Sequence, residues 1–532
     1  MPSVREAAFD ILRARGMTTV FGNPGSTELP MLADFPEDFS YVLALQEAVA
    51  VGMADGFAQA SCTVGHVNLH TAPGLGNAMG AIFNAQANKA PLLVTAGQQV
   101  RAHMTMQANL TNRDATRMPH PLVKWSYEPP RAQDVPAALA RAIHTASLPP
   151  AGPAFVSLPM DDWTAEADAG EVARIRDRRV GGAAGADPAV VRALAARLDA
   201  AENPVLVAGP DLDACGAWEA AVALAERCAL PVWATPAPGG GRIGFPESHP
   251  NFRGVLPPAL GPVGQTLEGH DLVLVAGSSV FPYYPYIPGP ALAEGTELVA
   301  ITRDPDEAAR APAGDAIVAD PRLTLEALLE AVAATDRPAP EPQPELGPPE
   351  ESDPISPGAV HATLARVLPE DAIVLLESPS STLALRSRLR ISRPGSYFFG
   401  AGGGLGFGLA AAIGAQLAQP ARPVVCVLGE GSAQYAVTGF WTAAAYGVPV
   451  TFLVLNNGEY SILKWFAGME GVQGAPGLDL PALDTAGVAA AYGVASERVE
   501  GAEALEAALA RALGSGTPDL VEVRTSAGMA LF

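Results

Sequence analysis

Short apolar runs, many closed directly by glycine, asparagine or histidine, alternate with longer alanine-rich stretches along the chain. In the first part Thr18–Phe21, Tyr41–Leu45, His66–His70 and Leu92–Ala96 read as strands. Val205–Ala208, Val232–Ala234, Leu272–Ala276 and Leu298–Ile301 do the same in the middle, and Ala372–Leu376, Val424–Leu428, Thr451–Leu455 and Leu520–Val523 in the last part. Apolar runs of this length alternating with helical stretches predict parallel sheets covered on both faces. Two segments break the rhythm. Asp161–Asp187 passes from acidic to arginine-rich to glycine/alanine-rich without a hydrophobic period, and Asp336–Pro357 holds eight prolines and six acids in 22 residues. Proline denies the second both helix and sheet. The expected fold class is therefore α/β: three Rossmann-like, doubly wound parallel-sheet domains at 1–165, 185–335 and 356–532.

Charge and composition narrow the function classes. The 33 basic and 56 acidic side chains leave a net charge of −23, the wrong sign for a phosphate-backbone binder, so no nucleic-acid partner is expected. With 49% hydrophobic and 17% charged residues the chain can bury real cores. No apolar run reaches the roughly 18 residues of a membrane span, and the first residues lack the apolar core of a signal peptide. Cys62, Cys215, Cys228 and Cys426 are scattered, with no CxxC pair. A cytoplasmic enzyme acting on a small molecule, with no membrane partner, is the expectation.

Ligands of open α/β sheets bind beyond the carboxyl ends of the strands. Strand Val424–Leu428 runs into Gly429-Glu430-Gly431-Ser432, and strand Thr451–Leu455 into Asn456-Asn457-Gly458-Glu459. Adjacent parallel strands place Glu430 and Asn457 side by side. A carboxylate, an amide oxygen and a main-chain carbonyl suit Mg²⁺ or Ca²⁺, and the glycines let the backbone approach a diphosphate. Two ordinary strand-to-helix turns would read the same way. Gly406-Phe407-Gly408-Leu409-Ala410-Ala411 also fits the dinucleotide fingerprint GxGxxA, but that reading leaves Asn456-Asn457 unexplained. In the first part, Ser26 follows a tight turn, Glu47 follows a strand in apolar company, and His70 ends the next strand. A carboxylate so placed must be paired or shifted in pKa, unless it only caps a helix.

Gly429-Glu430-Gly431 with Asn456-Asn457 resembles the thiamine-diphosphate motif, which opens with GDG and closes with NN. With Phe21-Gly22-Asn23-Pro24-Gly25-Ser26, Ala44-Leu45-Gln46-Glu47-Ala48, Asn68-Leu69-His70 and Ala401-Gly402-Gly403-Gly404-Leu405-Gly406-Phe407, the chain is similar to the benzoylformate decarboxylase family over nearly its whole length. The resemblance implies a pyrimidine-binding, a structural and a diphosphate-binding domain in that order. It also implies a cofactor shared between two subunits, with a homodimer as the minimum unit and a homotetramer as the usual one. Glu47 would exchange a proton with the aminopyrimidine, Gly403 would accept from its amino group, and Leu405 would wedge the cofactor into a bent form. Gly429, Gly431, Ser432 and Asn457 would hold the diphosphate, and Glu430, Asn457 and the Glu459 carbonyl the metal ion. Ser26 and His70 would bind substrate and move protons, while Leu110, Tyr284, Pro379, Leu463 and Phe466 would line an aryl pocket.

Three positions depart from the family pattern. Tyr284 stands where the family has a second catalytic histidine, Pro379 replaces a threonine, and Glu430 replaces the metal aspartate. The leading expectation is decarboxylation of an aryl or hydrophobic 2-oxo acid. Carboligation or aldehyde lysis, an acetohydroxyacid-synthase-like or pyruvate-oxidase-like activity, and a degenerate non-catalytic homologue are the alternatives.

Overall fold

The computed structural model describes residues 1–236, 241–344 and 346–530. Positions 237–240, 345 and 531–532, which fall in the expected second domain, second connector and third domain, lie outside the described residues. Three six-stranded sheets follow one another along the chain. The first contains β1 (Thr19–Gly22), β2 (Ser40–Leu43), β3 (Gly65–Leu69), β4 (Leu92–Gln98), β5 (Trp125–Tyr127) and β6 (Ala154–Pro159), in spatial order β2-β1-β3-β4-β6-β5. The second contains β7 (Pro204–Ala208), β8 (Val232–Ala234), β9 (Phe252–Val255), β10 (Leu272–Ala276), β11 (Glu297–Thr302) and β12 (Asp315–Val318), in order β12-β11-β10-β7-β8-β9. The third contains β13 (Ile373–Glu377), β14 (Tyr397–Phe399), β15 (Val424–Gly429), β16 (Val450–Asn456), β17 (Ala495–Val499) and β18 (Asp519–Arg524), in order β14-β13-β15-β16-β18-β17. Every pairing between these strands is parallel. The α/β expectation holds, and all twelve strands read from the sequence are present, two of them (β8 and β10) with the expected ends and the rest with shifted ends.

Six strands escaped the sequence reading: β5, β6, β9, β12, β14 and β17. All but β6 lie at a sheet edge. An edge strand packs fewer neighbours and needs no continuous apolar run, as Ala-Ser-Glu-Arg-Val in β17 illustrates. The first expected connector also needs correction. Within Asp161–Asp187 a helix forms at Ala169–Asp177, its start capped by the Asp168 side chain accepting from the Glu171 N–H. Val172 alone is buried from it, joining the core of Val4, Phe9 and Leu139, too thin an apolar stripe to show as a period. The proline-rich connector forms no helix or strand between positions 336 and 354 among the described residues. Arg337 pins its start to the carbonyls of Leu198, Ala201 and Cys228.

The first and third sheets share one core through two helices, Glu47–Ser61 and Phe407–Ala418. Glycines bring their backbones together. A Cβ on Gly56 would lie 2.1 Å from the Ala411 carbonyl oxygen, and one on Gly414 1.9 Å from that of Met53. Gly56→Ala is therefore expected to force the helices apart and destabilise the chain by about 1–3 kcal/mol, read as a lowered denaturation midpoint. This packing sets the third-sheet crevice between β13 and β15, where the strand order reverses, and fixes the start of the Glu47 helix.

Candidate functional site

At the carboxyl edge of the third sheet, β15 ends in Gly429 and Glu430 opens the next helical turn. Glu430 is only 2% exposed, and its Oε1 accepts from the Gly458 N–H at 2.7 Å. Burial pushes its carboxyl above the usual range, against the opposing pull of main-chain N–H groups. On the neighbouring turn Asn457 Nδ2 donates to Ser461 Oγ at 2.9 Å, and its Oδ1 accepts from the Glu459 N–H at 3.1 Å. The Glu459 carboxylate turns away, to Lys464, Ser461 and the Gly528 N–H. Among the described residues no donor meets the Glu459 carbonyl.

These groups line a cavity of about 300 Å³ together with Gly429, Gly431, Ser432 and Gly403. The Thr525 hydroxyl on its wall is buried without a partner among the described residues. Oxygens from a carboxylate, an amide and a carbonyl are the donor set of a hard divalent cation. Glycines and hydroxyls at a strand end fit the oxygens of a diphosphate. The residues present thus fit a metal–diphosphate pair.

A second, apolar cavity of about 520 Å³ adjoins the first and shares Pro379, Gly403, Leu405 and Ile462 as a common wall. Tyr284 and Phe466 line it with ring centroids 5.1 Å apart. Leu463 faces the diphosphate-sized cavity instead, and Ile462 and Trp465 take the apolar wall. Leu110 sits on the first-domain segment between β4 and β5 and lines neither cavity in this chain. Gly403 has φ +73° with open space where a Cβ would stand. The turn it begins is held from both sides. Asn84 donates to the Gly404 carbonyl at 2.8 Å and accepts from its N–H at 3.0 Å. Glu377, at the end of β13, accepts from the N–H groups of Gly406, Phe407 and Gly408, while burial pushes its carboxyl up to about 8.

The first sheet carries a separate constellation. Glu47 opens its helix behind the Gln46 cap and is 8% exposed. Its two oxygens accept from Asn23 Nδ2 at 3.2 Å and Asn77 Nδ2 at 3.0 Å. His70 Nδ1 lies 2.8 Å from the buried Glu28 carboxylate, which also accepts from the Gly25 and Gly97 N–H groups and from Thr27 Oγ1. Gly25 must be glycine, since a Cβ there would sit 2.2 Å from His70 Nδ1. Ser26 stays exposed beside this turn. Glu47 and His70 thus share one sheet edge, while the Glu430 cavity is lined solely by residues from Pro357 to Thr525.

Sequence reasoning missed Glu28, Asn23, Asn77, Asn84 and Glu377. One signal was available: Asn77 and Asn84 stand seven residues apart in a mostly apolar helix, hence on one face. Glu28 and Glu377 leave no comparable trace.

Models of thiamine pyrophosphate enzymes match the chain in three places: the N-terminal TPP binding domain over residues 2–118, the central domain over 191–328, and the C-terminal TPP binding domain over 380–523. The chain is 52% identical over 528 residues to benzoylformate decarboxylase of Pseudomonas aeruginosa, covering 99% of each. Among solved structures it is similar to a 4-hydroxybenzoylformate decarboxylase of Rhodococcus jostii, at TM-score 0.97 and 46% identity over 99% of this chain and 100% of that one. A benzoylformate decarboxylase from Polynucleobacter necessarius gives TM-score 0.96 and 41% identity over 99% of both chains.

Proposed function

The chain belongs to the thiamine pyrophosphate enzyme family, and on that premise we propose that it removes CO₂ from an aryl 2-oxo acid of the benzoylformate kind and releases the aldehyde. The observation that carries this reading is the apolar cavity of Tyr284, Phe466 and Trp465, separated from the oxygen-lined cavity only by Pro379, Gly403, Leu405 and Ile462. An aromatic side group fits the first while a metal-bound diphosphate fits the second. Segments 1–165, 185–335 and 356–532 serve as the pyrimidine-binding, structural and diphosphate-binding domains.

Thiamine diphosphate, when bound, supplies a carbon nucleophile and an electron sink for decarboxylation. Glu430, Asn457 and the Glu459 carbonyl hold Mg²⁺ or Ca²⁺, while Gly429, Gly431 and Ser432 face the diphosphate. Leu405 and Gly403 support the rings from the turn that Asn84 and Glu377 keep rigid. Glu47, oriented by Asn23 and Asn77, offers a carboxyl to exchange a proton with a ring nitrogen. The Glu28 carboxylate draws the His70 proton to Nδ1, leaving Nε2 to accept or return a proton at the substrate. Ser26 binds the substrate carboxylate beside it. Because no first-domain residue among those described lines the Glu430 cavity of the same chain, a complete site takes the first domain of one copy and the third of another. The protein works as a homodimer at least, with a homotetramer the usual assembly, in the cytoplasm. A panel of aryl, branched and short 2-oxo acids, assayed with and without cofactor, tests the substrate class; turnover is expected to favour aryl acids, and a preference for pyruvate would contradict the assignment.

One observation favours added carboligation. Tyr284, 63% exposed and against Phe466, replaces a histidine of the family pattern. A phenol, with ordinary pKa near 10, carries protons poorly at neutral pH compared with imidazole near 6.5. Tyr284→His is expected to speed aldehyde release and lower the yield of ligated product when an aldehyde acceptor is added. Single-turnover product analysis checks it; unchanged partition makes Tyr284 a wall of the pocket.

A further inference from the structure

One buried histidine outside the groups used above reaches the same cavity through two hydroxyls. His361, on the helix Pro357–Val367, is 0% exposed, and its Nε2 lies 3.0 Å from Ser381 Oγ. Ser381 Oγ in turn lies 2.9 Å from Ser378 Oγ. Both serines line the cavity that holds Glu430 and Asn457. His361 Nδ1 is buried with no partner among the described residues.

The direction of this chain follows from its inner end. Burial pushes the imidazole down to about 3, so at neutral pH it is uncharged and carries a single N–H. A proton on Nδ1 would be a buried donor with no acceptor, the costlier defect. On Nε2 it donates to Ser381. Having accepted there, Ser381 turns its own proton toward Ser378; the competing acceptor, the Ser378 carbonyl, is longer at 3.4 Å and already takes the Ser381 N–H and the Thr382 hydroxyl. The Ser378 proton is then left for the cavity. Hydrogen bonds aligned head to tail polarise one another, which strengthens the last donor. Between the two serines stands Pro379, where the family pattern has a threonine hydroxyl.

We propose that His361 is a positioning residue that aims the Ser381–Ser378 hydroxyl pair, as donors, at the diphosphate of a ligand in this cavity. The proposal rests on the thiamine-diphosphate reading above. It assigns to His361 a task that packing alone would not require, and it offsets the hydroxyl missing at Pro379.

The test is titration of full-length, cofactor-stripped protein with thiamine diphosphate and Mg²⁺, followed by tryptophan fluorescence. His361→Phe, which fills the space without a donor, is expected to weaken binding roughly tenfold, about one hydrogen bond's worth. His361→Gln, whose amide N–H can stand where Nε2 does, is expected to restore affinity. Magnesium pyrophosphate alone should show the same order. In the wild-type chain, nitrogen-15 NMR of labelled histidine is expected to place the His361 proton on Nε2, unchanged between about pH 5 and 8. Equal affinity in the wild type and the Phe variant would overturn the proposal and leave the functional reading intact. So would a Gln variant no better than Phe, or a proton found on Nδ1, a result that needs no variant to fold. A wild-type chain that binds no thiamine diphosphate would defeat the functional reading, and the proposal with it.

Discussion

Glu47→Gln is expected to lower turnover by about 10²–10⁴-fold, the usual contribution of a positioned proton carrier. The carboxyl is held at both oxygens, by Asn23 and Asn77, so its direction is set before any ligand arrives. Glutamine keeps the shape but cannot exchange a proton. It also presents an amide to one asparagine amide that formerly found an oxygen, a mismatch that costs roughly 1 kcal/mol. Stability should therefore shift little while the chemistry fails. The checking measurement is hydrogen–deuterium exchange at C2 of bound thiamine diphosphate, alongside affinity for the cofactor. Exchange as fast as in the wild type, with cofactor bound, would remove Glu47 from its assigned role.

Loss of Glu430 should act at binding instead. Glu430→Ala takes away the one carboxylate of the proposed metal site and leaves the Gly458 N–H without its acceptor. Cofactor retention is expected to fall by more than the 10–100-fold typical of removing a group that merely supports a metal ligand. Chelation of the wild-type protein should release cofactor in the same way. Glu430→Asp, which restores the family's shorter side chain, is expected to retain it. Gel filtration followed by cofactor and metal analysis decides this. Cofactor that stays bound to Glu430→Ala, or to chelated wild type with no metal detected, would contradict the assignment.

The parts of this molecule that were legible in the sequence are those where local chemistry and tertiary role coincide. A buried parallel strand needs an apolar run, and a ligand at its end needs a small turn. β15 with Gly429-Glu430-Gly431 and β16 with Asn456-Asn457 therefore announce themselves. An edge strand such as β17, Ala-Ser-Glu-Arg-Val, needs neither and leaves no such sign. Residues that act by meeting a distant partner leave no local sign. Glu28 is an unremarked acid in a turn until the fold brings His70 to it across 42 positions, and Glu377 looks like the end of any strand until three N–H groups converge on it. The helix Ala169–Asp177 shows the opposite failure, a regular element hidden because a single buried valine makes no period. Leu110 and Leu463 were assigned by resemblance to one pocket; within this chain they stand apart from it, on the first-domain segment and on the wall of the adjoining cavity.

The central claim joins an aryl cavity to a thiamine-diphosphate site. Its most direct measurement is the release of CO₂ and benzaldehyde from benzoylformate by cofactor-stripped protein, before and after adding thiamine diphosphate and Mg²⁺. The account predicts no release before addition and equimolar CO₂ and aldehyde afterwards. Protein that has bound the cofactor and its metal yet releases no CO₂ from benzoylformate would contradict it.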